Sequence, residues 1–182
     1  MGVLETDQRV LRYLESYLKR VFIGSRVSVY RENIYPPKKF YNVLRGQYRA
    51  DMILEWLRDY REDPSEIIVG IVSADAYVPG LNFVFGLADP VNRIATVYLE
   101  RLYTRDPSDT IFFSRLEKEV THEIGHVLGL GHCSDRKCVM SFSNSILDVD
   151  FKSNRFCKKC LSILRKNLIE IEVSPSETLY HD

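Results

Sequence analysis

The run His122-Glu123-Ile124-Gly125-His126-Val127-Leu128-Gly129-Leu130-Gly131-His132 constrains this chain more than any other stretch. On a helix, side chains four apart share one face, so His122 and His126 can reach a single ion. Gly129 tolerates positive φ, so it can end the helix and swing the chain round to bring His132 back as a third ligand. Three protein ligands leave a fourth position for water, the mark of a catalytic rather than a structural zinc. Glu123 neighbours a ligand without having to bind the metal. It can hydrogen-bond a zinc-bound water, whose pKa the ion lowers toward about 7, take its proton and pass it to the leaving amine. The plainer reading of H-E-x-x-H is a helix with two surface histidines; a glycine and a third histidine at fixed offsets tell against it.

The surroundings suit such a helix. Phe113, Leu116, Val120, Ile124 and Val127 form an apolar stripe, so the spacing predicts a helix from Ser108, a possible cap, to about Leu128, with both imidazoles turned toward a cleft. A first helix is expected over about residues 4–22, with Val10, Leu14, Tyr17, Leu18 and Val21 inward and Gly24 as a stop. A second is expected from about Gln47 to Glu62, and a last from about Phe156 to Ile169. Val27–Tyr30 alternates like a strand, and Glu66–Ser73 is a near-continuous apolar run that suits a central strand. Leu81–Ala88 and Ile94–Glu100 read as a hairpin or neighbouring strands. Together these predict an α/β (α+β) layered fold: a mixed sheet, three main helices and a cysteine-rich C-terminal segment. The length of 182 residues fits a single domain over 1–182, in which 1–128 supply the sheet and histidine helix and 129–182 the third ligand and cysteine segment.

Cys133, Cys138, Cys157 and Cys160 all fall in the last third of the chain. Two close pairs of thiolates can close a tetrahedral, fully coordinated and hence structural zinc site, giving two zinc ions per chain in all. Four free thiols or two disulfides remain the alternative. Disulfides fit poorly with a chain that shows neither a basic n-region nor an apolar h-region near residue 1, and a cytoplasmic location is the expectation. No stretch of about 18 uncharged apolar residues is present, so no membrane partner is expected. Lys+Arg and Asp+Glu are both 25, which gives no general argument for nucleic acid.

The pattern from His122 through Gly129 and His132 to Cys133, Cys138, Met140, Cys157 and Cys160 resembles the archaemetzincins, a branch of the metzincin zinc peptidases. The strict motifs span residues 122–160. The resemblance implies a metzincin-like twisted mixed sheet above the histidine helix and a Met-turn in which Met140 floors the metal site. It also implies an extended peptide substrate lying along an edge strand, here Val84, Phe85, Gly86, Leu87 and Ala88. Phe142 stands where some metzincins place a metal-binding tyrosine, so no tyrosine switch is expected. No cysteine precedes the histidines to act as a zymogen latch.

The function expected is therefore zinc-dependent peptide hydrolysis by a monomer. The alternative is a non-catalytic zinc-binding or interaction protein with an idle triad, for which Lys152, Arg155, Lys158, Lys159, Arg165 and Lys166 beside the last cysteine pair would offer a basic face. A solvated helix face accounts for those charges more simply. A hydrolase acting on something other than peptides is a third possibility that the metal chemistry permits.

Overall fold

The computed structural model describes residues 6–30, 34–104, 109–169 and 174–175. Ser108, the cap expected for the histidine helix, lies outside the described residues. The first helix, α1, spans Gln8–Val21; Asp7 caps it by accepting from the Arg9 amide, and Val10, Leu14, Tyr17 and Val21 are its buried face. Phe22–Ile23 (β1) pairs with Ser174–Pro175 (β8). Gly24 turns the chain at φ 90. The expected strand at Val27–Tyr30 is not formed. Its alternation survives as alternating exposure, but among the described residues no neighbouring strand pairs with it.

A small sheet joins Tyr41–Asn42 (β2), Gln47–Arg49 (β3) and Ala76–Tyr77 (β5), in that order. β3 corrects the sequence reading, which placed Gln47–Arg49 in a helix. Parallel pairing of Tyr48 with Ala76 overrides local preference, and Gln47 donates from Nε2 to Asp75 Oδ2 and the Asn82 carbonyl. The helix that follows, α2, covers only Ala50–Leu57 before tightening into a short turn over Arg58–Tyr60.

The larger sheet has the order Ile68–Val72 (β4), Ile94–Tyr98 (β7), Gly86–Asp89 (β6). β4 lies parallel to β7, and β6 is antiparallel to it with Gly86 opposite Val97. All five residues of β7 are buried. Among the described residues the apolar run expected to be central is therefore at an edge, and β7 takes the centre. Apolar continuity reports what covers a strand's faces, not its place in the hydrogen-bonded order. The bridge from the Val84 amide to the Ala76 carbonyl, 2.9 Å, connects the two sheets.

Beneath β6 and β7 runs α3, Thr110–Val127. Phe112 takes the fully buried position assigned above to Phe113, which is half-buried against the Tyr13 ring instead. From Lys118 to Gly125 the helix is buried on every side, because the sheet covers it above and the C-terminal segment covers it below. That segment contains α4, Ile146–Phe151, entered through a capping box between Ser145 and Asp148, and α5, Lys158–Ile169. Among the described residues no helix is long and apolar enough to cross a membrane.

Candidate metal centres

The end of α3 builds the histidine site. Gly129 has φ 86; its amide donates to the His126 carbonyl and the Leu130 amide to the Gly125 carbonyl, which is a Schellman stop. That turn does two things. It carries the chain back so that the His132 ring lies 4.9 Å from the His126 ring and 5.5 Å from the His122 ring. It also presents the Leu130 carbonyl to His126 Nδ1 at 2.7 Å. His122 Nδ1 reaches the Val139 carbonyl at the same distance.

A carbonyl can only accept, so both Nδ1 atoms carry the proton and both Nε2 atoms present bare lone pairs. These two Nε2 atoms face each other 3.0 Å apart. Zn–N bonds of about 2.0–2.1 Å in a tetrahedral site place nitrogens about 3.3 Å apart. Burial, followed by the nearby Lys152 cation, holds His122 well below its ordinary pKa. Burial lowers His126 and His132 as well. All three rings are thus neutral at physiological pH, and two converging lone pairs with no proton between them suit a bound cation.

Glu123 is buried among these groups. Burial, then the Glu119 carboxylate, push its carboxyl well above the ordinary value, with Lys152 opposing. Its side chain lies directly against Gly86: a Cβ there would come within 2.6 Å of Glu123 Cδ. Met140 is fully buried, and a Cβ on Gly125 would run into its sulfur, so it packs against α3 between the two histidines of that helix. Phe142 is half-exposed, with its ring 4.9 Å from that of His132.

The four cysteines form a second cluster, their sulfurs all within 4.8 Å of one another. None is disulfide-bonded. Cys133 and Cys157 sulfurs are 3.7 Å apart, close to the roughly 3.8 Å edge of a tetrahedron with Zn–S bonds of about 2.3 Å and far beyond a disulfide bond. The Cys157 amide donates to Cys138 Sγ at 3.3 Å. His132 and Cys133 are adjacent in sequence yet serve opposite clusters, as successive side chains of an extended segment do. The bridge between Cys133 and Ser141 holds that segment in place.

Residues 4–166 match the sequence pattern of Peptidase family M54. An archaemetzincin of Methanopyrus kandleri is 46% identical over 142 residues, covering 78% of this chain and 79% of the relative. One from Pyrococcus horikoshii is 41% identical over 176 residues, 92% of this chain and 94% of its own. The chain belongs to peptidase family M54, the archaemetzincins. The crystal structure of the Methanopyrus kandleri archaemetzincin superposes with a TM-score of 0.80 at 40% identity, over 93% of this chain and 91% of that one. Membership makes the protein a zinc metallopeptidase of the metzincin type, with the mixed α/β architecture anticipated for it.

Within that fold the segment Val84–Ala88 does not present a uniform edge. The Tyr98 amide donates to the Phe85 carbonyl at 2.8 Å. By the alternation of an antiparallel pair, Phe85 and Leu87 turn their backbone groups toward β7, while Val84, Gly86 and Ala88 turn theirs outward. The Val84 amide is already taken by Ala76, and Phe85 is buried in the core. The outward backbone of Gly86 and Ala88 is what remains. Sequence reasoning did not find Glu119 or the Val139 and Leu130 carbonyls, and it placed Lys152 on a solvated face, whereas the residue is buried against Glu119. The only signal was the placement of Glu119 one helical turn before Glu123.

Proposed function

We propose that His122, His126 and His132 hold one catalytic zinc, that Glu123 is the general base of peptide hydrolysis, and that Cys133, Cys138, Cys157 and Cys160 hold a second, structural zinc. The observation that carries this reading is the pair of Nε2 lone pairs facing each other at 3.0 Å with both Nδ1 protons committed to carbonyls. A zinc ion held by these three imidazoles would supply Lewis acidity, lowering the pKa of a water and polarising the scissile carbonyl.

The chain's own residues do the rest. The Glu123 carboxylate accepts a proton from the attacking water and returns it to the departing amine. An extended peptide adds to the free edge of β6 through the backbone of Gly86 and Ala88, with the segment Val84–Ala88 as the substrate-facing wall. Because Gly86 lies against Glu123, peptide and base are held in register by one residue. Met140 forms the apolar floor. Residues 1–128 contribute the sheet, base and two ligands, and 129–182 the third ligand, floor and cysteine site, as a single catalytic unit that acts as a monomer.

Metal analysis tests the reading. Two zinc ions per chain are expected, one released readily by a chelator together with peptidase activity and one retained. A single, tightly held zinc and no hydrolysis would overturn it in favour of a non-catalytic zinc module. A second outcome follows from the Gly86 contact. Gly86→Ala should displace the Glu123 side chain and lower hydrolysis by about ten-fold or more, since small misplacements near the reacting groups are costly. Zinc content should stay unchanged; wild-type rates in this variant would remove Gly86 from the site.

A further inference from the structure

A buried charged link that the chemistry above does not use lies behind the histidine site. Lys152, the residue that closes α4, is 2% exposed, and its Nζ is 2.9 Å from Glu119 Oε1 on α3. The ammonium sits at ion-pair distance but off the axis of a hydrogen bond, so Glu119 Oε1 has no aligned donor. The same Nζ donates to the Ser141 carbonyl at 3.5 Å. Ser141 follows Met140 and is bridged to Cys133, the neighbour of His132. Glu119 precedes His122 by three residues and Glu123 by four. One ammonium therefore spans the active-site helix and the turn that carries the floor of the site.

The link is not needed to dock α4. Arg115 already grips Asp150 with two bonds of 2.7 and 2.6 Å. Lys118 Nζ donates to the Val149 and Asp150 carbonyls at 3.0 and 3.2 Å, satisfying the helix end. Nor is it an economical source of stability, because a buried ion pair is commonly no better than an apolar pair of similar volume. What the pair supplies that apolar contacts would not is a charge attraction at 2.9 Å between two segments, each of which carries part of the histidine site.

Resting on the assignment of His122, His126 and His132 as zinc ligands, we propose that Lys152 and Glu119 are positioning residues. They fix the turn over Met140–Ser141 against α3 and so set the geometry, and thereby the metal affinity, of the histidine site. Partners that orient metal ligands from outside typically change affinity by about 10–100-fold when removed.

The test uses the full chain loaded with Co2+, whose thiolate charge-transfer bands report the cysteine site and whose weaker visible bands report the histidine site. Lys152→Met should weaken cobalt binding at the histidine site by about ten-fold or more while leaving the thiolate bands unchanged. Because a lone buried Glu119 could destabilise that variant, the double variant Lys152→Met/Glu119→Leu restores neutrality. It should unfold near the wild-type temperature and still bind cobalt at the histidine site about ten-fold more weakly. Wild-type affinity in the double variant would overturn the proposal and leave the pair a stability element alone. Wild-type protein that shows thiolate bands only would instead overturn the histidine-site assignment itself, and this proposal with it.

Discussion

Glu123→Gln is expected to lower peptide hydrolysis by about 10²–10⁴-fold with zinc content unchanged, the range that a positioned acid–base group contributes. Glutamine keeps the shape of the side chain, so it keeps the contact with Gly86 and the filled space below β6. It cannot accept the proton of the attacking water. Its cost to the fold is small, because burial already disfavours the charged carboxylate here and Glu119 adds a second negative charge nearby. The variant should therefore unfold at or above the wild-type temperature, which separates loss of chemistry from loss of structure. Cleavage of a fluorogenic peptide, zinc content by elemental analysis and thermal unfolding check the three parts. Near-wild-type cleavage would remove Glu123 from the role of base.

Why this residue could be picked from the sequence, and its supports could not, follows from the range of the interactions. His122, Glu123 and His126 are placed by one helix, and His132 by the Gly129 turn that ends it. All of that is local, and spacing alone specifies it. The cysteine cluster is nearly as legible, since two pairs of thiols so close in sequence match the ligand spacing of a structural zinc site. The failures are all non-local. Gln47–Arg49 has acceptable helical character but is drawn into a strand by Ala76–Tyr77. Ile68–Val72 looks central because its faces are apolar, yet among the described residues it lies at an edge. The carbonyls of Val139 and Leu130 fix the tautomers of His122 and His126, and a backbone carbonyl leaves no trace in residue type. Lys152 meets Glu119 across 33 positions, through a six-residue helix announced only by Ser145 and Asp148.

The cysteine cluster should dominate stability, and Cys138→Ser is the sharpest probe of it. Cys138 is fully buried, its sulfur accepts the Cys157 amide, and its own amide donates to the Asp135 carbonyl at the start of the loop. Without metal, burial pushes its thiol up to about 12, so in the metal-free protein it stays protonated and offers no charge to a neighbour. Zinc bound at the proposed cysteine site would have to displace that proton, which would tie metal affinity to pH and metal binding to folding. Apparent binding free energies for structural zinc are about 10–16 kcal/mol, comparable with the whole net stability of a domain at about 5–15 kcal/mol. Even if half of that is retained by the remaining packing, about 5 kcal/mol lost from a chain of this size lowers Tm by about 10–20 °C. We expect Cys138→Ser to lose one zinc and to show at least that drop. The loss should reach the histidine site too. Cys133 is held to the Met140 carbonyl through its amide and directly follows His132, so freeing the cysteine cluster frees the third ligand. A Cys138→Ser protein that keeps two zinc ions and the wild-type Tm would show that the four thiols are not a structural metal site.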